Sequence, residues 1–284
     1  MNVGIGLPTA VPGTPPETLI AWAQRADERD FSSLGVVDRT RYESYDPIAA
    51  VAGAAAVTTN IGLVTMVVIG PLRNNGVLAK EAATIDAISD GRFTLGLGVG
   101  ARVEDYTATG APARGRGDAL TEQLADLRAL WERDEVGRLT DSGWGPRVLI
   151  GGGNDAALYR AARYADGYVH GGGPPRTFER AVARMRTAWS DLGRVGEPAL
   201  WAQGYFALGD DDDVAQGREY MRHYYAFTGP FAERIAEGML ATPQAVAQFV
   251  RGYAEAGCEE LVLMPAVAEL EQVDRLADVL AAIG

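Results

Sequence analysis

Apolar residues in this chain come in two alternating rhythms. Eight short runs are almost continuously apolar: "VGIGLP" (3–8), "SSLGVVD" (32–38), "IGLVTMVVI" (61–69), "RFTLGLGV" (92–99), "RVLIGG" (147–152), "DGYVHG" (166–171), "LWAQGYFAL" (200–208) and "ELVLMPA" (260–266). Unbroken runs of this length predict strands covered on both faces, as in a parallel sheet. Between them lie longer stretches in which apolar residues recur every three to four positions. "PETLIAWAQRADERD" sets Leu19, Ile20, Ala23 and Ala26 on one stripe behind Pro15-Pro16, and "GVLAKEAATIDAISDG" stops at Asp90-Gly91. "GDALTEQLADLRALWERD", "NDAALYRAARYADG", "TFERAVARMRTAWSDLG", "TPQAVAQFVRGYAEAG" and "EQVDRLADVLAAIG" follow the same rule, with Thr242-Pro243 as N-cap and first helical residue. Strand and helix in alternation predict right-handed parallel crossovers, and eight such units close a barrel. The expected fold is α/β, a (β/α)8 TIM barrel, with residues 1–284 as a single domain.

Two polar stretches interrupt the rhythm. "TATGAPARGRG" (107–117) and "GDDDDVAQGREYMRHYYAFTGPFAERI" (209–235) follow the fourth and seventh expected strands and read as insertions over the barrel mouth. Asp210–Asp213 reads as a solvated helix start, since its spacing does not match a twelve-residue calcium loop.

Composition narrows the partners. With 47% apolar and 23% charged residues in 284, the chain can bury a full core. A net charge of -12 argues against nucleic acid and against an anionic membrane surface. No apolar run reaches the roughly 18 residues of a spanning helix, and the N-terminus lacks the basic start of a signal peptide. One cysteine, Cys258, cannot form an intrachain disulfide and suits a reducing cytoplasm; "EAGCEELVLM" makes it a small residue at a helix-to-strand turn. Two histidines and one cysteine do not suffice for a His/Cys metal cage, so no metal is expected. Lys80 is the only lysine and falls on an expected helix, which argues against Schiff-base chemistry.

Glycines supply the candidate chemistry. Gly96, Gly98 and Gly100 fit G-x-G-x-x-A, with Asp118 about twenty residues on. A dinucleotide turn, however, enters a helix at once and ends its next strand on the acid. Here "ARVEDYTATGAPARGRG" reads as a polar loop and Asp118 opens a helix. Glycines at alternate strand positions either clear space for a ligand at the barrel mouth or allow tight packing inside it. Gly151, Gly152 and Gly153 leave backbone N–H groups unobstructed before a helix capped by Asn154 or Asp155, which suits a phosphate. A plain turn is the alternative, and Asp155 would repel a phosphate unless it faces away. His170 closes the sixth expected strand at the mouth, with structural and catalytic roles both open. His223 lies in "YMRHYYAF", whose Tyr220, Tyr224 and Tyr225 either pack on the core or wall a substrate pocket.

"SDGRFTLGLGVGARVEDY" resembles the fourth-strand signature of the luciferase-like monooxygenase family. "DFSSLGVVDR", "VTMVVIGPLRNNGVLAKEAATIDAISDG" and "RVLIGGGNDAALYRAARYADGYVHGGG" resemble other segments of that family in order, over nearly the whole chain. The resemblance implies a barrel that binds FMN or coenzyme F420. It implies a cofactor phosphate at Gly151, Gly152, Gly153 and Asn154, and a non-proline cis peptide between Met66 and Val67 beneath the ring. It also points to Asp38, Gly98, Val99, Gly100, Ala101 and Arg102 as cofactor-binding, with Tyr106 close by. Arg102 could equally pair with Glu104 or Asp105. Arg39 stands where F420 users often carry histidine, and Ala101 where their sugar-phosphate dehydrogenases carry glutamate; both departures argue against that activity. Arg39 either pairs with Asp38 or holds an anionic substrate or the flavin edge. Asp38, Arg39, His170 and His223 are the catalytic candidates.

The implied activity is oxidation of a small organic substrate by O2 and reduced FMN, delivered by a separate flavin reductase. Hydride transfer with F420 is the rival, with Arg102, Arg114 and Arg116 available to its acidic tail. A flavin-binding protein without turnover is the reading from another class. Barrels of this family often pair, so the resemblance leaves a homodimer open, with no feature of the sequence marking its interface.

Overall fold

The computed structural model describes residues 1–136 and 145–283. Nine strand segments carry the barrel: β1 (Asn2–Gly6), β2 (Ser33–Val36), β3 (Gly62–Thr65), β4 (Val68–Ile69), β5 (Phe93–Gly98), β6 (Arg147–Gly151), β7 (Gly167–His170), β8 (Ala199–Phe206) and β9 (Glu260–Pro265). Every pairing is parallel, and the ring closes because β1 pairs with both β2 and β9 while β5 pairs with β3, β4 and β6. The fold is thus a closed TIM barrel. The third expected strand, 61–69, is not continuous: it divides into β3 and β4 at a cis peptide between Met66 and Val67. Both halves run along β5, so the barrel has eight staves.

Continuous apolar runs are explained by the two faces of each stave. In β9, Leu261 and Leu263 join the large cluster shared with the helices, whereas Val262 and Met264 join a second cluster with Val64, Leu149, Val169 and Trp201. Residues from five different strands meet in that second cluster, which places it inside the barrel.

Helices α1 (Pro16–Glu28), α2 (Pro47–Val57), α3 (Asn75–Ile88), α5 (Arg116–Glu132), α6 (Asp155–Tyr164), α7 (Pro175–Asp191), α10 (Pro243–Glu255) and α11 (Glu271–Ile283) follow the staves. Gly284, the end of the last expected helix, lies outside the described residues. Helix α2 is absent from the pattern-based expectation, because "PIAAVAGAAAV" has no polar face to give it a period; Asp46 starts it by accepting from the N–H groups of Ile48 and Ala49. The first polar stretch differs from a loop: α4 (Val103–Thr109) forms directly after β5, and Gly110, with φ 74°, ends it. The second holds α8 (Asp211–Tyr224) and α9 (Phe231–Glu237), and Asp210 with Asp213 forms a capping box at its start. Cys258 is buried at the turn into β9, where burial pushes its thiol up to about 12, so it is not a reactive thiol. Among the described residues no helix is long and apolar enough to cross a membrane.

Candidate functional site

The rim over β2 to β6 is built mainly from backbone. Asp38, buried after β2, accepts the N–H of Ile69 at 2.9 Å and has the Arg73 guanidinium 3.6 Å away. Burial raises its carboxyl above the usual range, against the pull of Arg73. Asp38 thereby fixes β4 immediately beyond the cis bond. On the other side of the break, the Thr65 hydroxyl donates to Gly96 O and accepts from Gly96 N–H, each at 2.8 Å.

The alternate glycines serve this arrangement. A Cβ at Gly96 would lie 2.0 Å from Thr65 O, and one at Gly98 would lie 2.7 Å from Val67 Cγ2. Both positions are therefore filled by the barrel's own atoms, so the space they leave belongs to packing and to the Val67 side chain, not to a ligand. Gly100 lies beyond the end of β5, with φ 63°, against Ile69.

Val67 also links this turn to the next. A Cβ at Gly151 would lie 3.2 Å from Val67 Cγ1, so the half-buried Val67 sits against the ends of both β5 and β6. From Gly151 the chain runs through Gly152, whose φ of 143° favours glycine, and Gly153, around which a Cβ would meet nothing within 4 Å. Asn154 then caps α6 by accepting from Ala157 N–H at 2.8 Å. That cap leaves the N–H groups of Asp155 and Ala156 without an acceptor among the described residues. Asp155 lies in the first turn of α6, its exposed carboxylate paired with Arg184, which also donates to Gly153 O at 3.3 Å. The Arg184 guanidinium offsets that carboxylate at the helix start.

Arg39 does not pair with Asp38. Its Nε donates to Asp105 at 2.9 Å, with side chains 4% and 0% exposed, and Glu104 lies 3.4 Å away. Asp105 also accepts from the N–H groups of Thr40 and Arg41, at 3.0 and 2.8 Å. Two partners 66 positions apart are invisible to local pattern, which is why sequence reasoning misses Asp105. Arg102 pairs with neither Glu104 nor Asp105: it donates to Tyr224 O at 2.8 Å and lies 4.4 Å from the Tyr224 ring centroid and 4.2 Å from that of Phe227. Tyr106 is turned inward, its hydroxyl donating to Val99 O at 2.5 Å. Val99 is half-buried and Ala101 exposed at this turn. His223 is exposed on α8, its Nδ1 2.9 Å from the Tyr42 hydroxyl. Arg39, Arg102 and Tyr42 thus gather around the C-terminus of α8 and clamp it over the mouth.

On the opposite side, between the ends of β7 and β8 and helices α8, α9 and α10, lies a cavity of about 700 Å³. Its walls are largely apolar and include Tyr205, Tyr225, Met221, Ile235 and Phe249. His170 borders it but has both ring nitrogens engaged, Nδ1 with the Tyr168 hydroxyl at 3.0 Å and Nε2 with the Thr177 hydroxyl at 3.1 Å. Burial lowers its pKa, so the ring stays neutral and holds the Gly171–Gly173 turn in place. Of the aromatic residues of α8, Tyr220 and Tyr224 pack in the core, and Tyr225 just beyond it walls the cavity. His170 and His223 are not brought together, since His223 is not among the cavity's walls. Sequence reasoning also misses Tyr205, Arg234 and Gln203; an aromatic beside a polar residue near the end of the seventh expected strand is the available signal. Gln203 Oε1 is buried on the inner face of β8 without a partner among the described residues.

A sequence profile of the family described as luciferase-like monooxygenase matches residues 1–257. The pyrimidine monooxygenase RutA of Escherichia coli is 33% identical over 196 residues, 62% of this chain and 50% of the relative. The chain spans about half the length of the first curated relatives it matches and 71% of others. Among solved structures, the monooxygenase RslO1 from Streptomyces bottropensis has a TM-score of 0.81 at 22% identity, covering 99% of this chain and 98% of that one. An F420-dependent secondary alcohol dehydrogenase in complex with an F420-acetone adduct has a TM-score of 0.81 at 18% identity, covering 100% of both chains. The oxygenating constituent of 3,6-diketocamphane monooxygenase from Pseudomonas putida, in complex with FMN, has a TM-score of 0.76 at 16% identity, covering 100% of this chain and 98% of that one.

Proposed function

Because the chain belongs to the luciferase-like monooxygenase family, we propose that it holds FMN on the β3–β6 side of the rim and oxidises a small organic molecule with O2. One observation carries this reading: Val67, at the break between β3 and β4, lies 3.2 Å from where a Cβ on Gly151 would stand, and Gly151 opens the glycine turn onto α6. A platform for a ring and a cradle for its phosphate therefore adjoin on one rim. The donor set fits the group. Gly153 and the free N–H groups of Asp155 and Ala156 suit a phosphate at a helix start, with Asn154 fixing the turn. Gln203 Oε1, buried and unpartnered among the described residues, suits an N–H donor on the bound group. The FMN complex of one structural neighbour and the monooxygenase activity for which RutA is named lend support.

Reduced FMN, when bound, supplies the two electrons with which one atom of O2 enters the substrate and the other leaves as water. The chain's own residues bind, orient and shield. Asp38 and Thr65 fix the platform. Arg39, locked to Asp105, and Arg102, locked to Tyr224 O, hold α8 over the mouth and keep water out. A separate flavin reductase delivers the reduced cofactor.

A second reading, hydride transfer with F420, is favoured by Arg114 and Arg116 at the start of α5, which have no carboxylate within 4 Å among the described residues and could meet an acidic tail. Absorbance titration with FMN and with F420, followed by oxygen uptake with NADH and a flavin reductase, tests the proposal. FMN binding with substrate-dependent uptake is expected. Binding of F420 alone reverses the choice of cofactor, and FMN binding with no uptake for any substrate class leaves a flavin carrier.

A further inference from the structure

The 700 Å³ cavity beyond β7 and β8 is bordered by none of the residues assigned above to the cofactor. Its chemistry is uneven. Its wall is largely apolar, and among the described residues no aspartate or glutamate borders it although the chain carries a net charge of -12. Arg234, exposed on α9, is its single charged residue and has no carboxylate within 4 Å among the described residues. Glu233, next to it, is held by Arg222 at 2.7 Å and so turned to another partner.

The Tyr205 and Tyr225 hydroxyls, 3.1 Å apart, form a pair in this wall. One of their two protons lies between the oxygens; the other has no acceptor among the described residues. Burial pushes both phenols above their ordinary range, so the pair stays protonated and offers a hydrogen bond. An apolar chamber with one free O–H inside and one free guanidinium at its edge suits a ligand with a bulky apolar body and one anionic oxygen group.

We infer that this cavity is the substrate pocket and that the substrate is an apolar organic anion, a ring-bearing carboxylate in the simplest case, whose charged end faces Tyr205–Tyr225 and Arg234. The inference rests on the oxidoreductase reading for calling the ligand a substrate, while its recognition chemistry stands on the cavity alone.

Calorimetric titration of the whole chain, without cofactor, with 2-naphthoate and with its neutral methyl ester tests it. The carboxylate is expected to bind about fivefold tighter than the ester, the size of an exposed ion pair with one added hydrogen bond. R234Q, a surface change, should cut that preference to about twofold, the part left to the tyrosine hydroxyl, and leave the ester's affinity as it was. Gly171 borders the cavity, and a Cβ there would meet no atom within 4 Å, so Gly171→Phe should narrow the chamber and weaken both probes. Equal affinities for the two probes in the unaltered chain, or an R234Q preference like that of the unaltered chain, overturn the inference. A separate FMN titration tells the two readings apart: probe selectivity without FMN binding removes the flavin proposal and keeps the pocket.

Discussion

The two sides of the barrel mouth are held by different means. Over β2 to β6, positions are set by backbone atoms at close approach: Gly96 against Thr65, Gly98 and Gly151 against Val67, Ile69 N–H on Asp38. Over β7 and β8, side chains do the holding: His170 between Tyr168 and Thr177, Tyr205 against Tyr225, Phe249 against Tyr253 with ring centroids 4.6 Å apart. A backbone-built rim admits almost no substitution and suits a fixed cofactor. A rim built from side chains can be re-cut without disturbing the staves, which suits a substrate.

Removing a carboxylate that fixes the rigid side should do most damage. Asp105→Ala leaves the buried Arg39 guanidinium without its main partner and should lower stability by about 3–4 kcal/mol in urea unfolding. A loss below about 1 kcal/mol would show that Glu104 and water replace Asp105. Gly96→Ala, whose Cβ would press on Thr65 O, should cost about 3 kcal/mol by the same measurement. On the opposite side, Tyr225→Phe should cost about 1 kcal/mol of stability while weakening 2-naphthoate; equal losses for Gly96→Ala and Tyr225→Phe would erase the contrast.

The clamp between the two sides should give an intermediate-to-small effect. Arg102→Ala removes the bond to Tyr224 O and the stacking on Tyr224 and Phe227, and should cost about 1 kcal/mol with faster hydrogen exchange at the end of α8. The smallest effect is titration of His170. Its folded pKa is lowered by burial, so below about 6.5 the unfolded chain takes up a proton that the folded chain resists. Stability present above that pH is lost as the pH falls through it toward the folded value. The drop in Tm between neutral pH and mild acid should be smaller in His170→Gln than in the unaltered chain.

What can be read in the sequence follows the same division. The eight staves are legible because both faces of each are apolar, and the turn at Gly151–Asn154 because glycines before a capped helix are local. Helix α2 is not, having no polar face, and α4 is hidden by the glycines and prolines after it. Glycine announces a close approach without saying to what: at Gly96 and Gly98 the neighbour is the barrel itself. Sequence proximity suggests Asp38 as a partner for Arg39, whereas the actual partner arrives on α4 from 66 positions away. The cavity on the β7–β8 side is illegible because its wall comes from six elements and only its tyrosines stand out one at a time.

The most direct test of the account compares FMN with riboflavin, which lacks only the phosphate, in the same fluorescence titration. Two or three charge-assisted hydrogen bonds from the start of α6 predict FMN tighter by about a hundredfold, with the difference lost in Gly153→Asp. Equal binding of the two flavins, or a phosphate preference that survives Gly153→Asp, would contradict a cofactor phosphate on this turn.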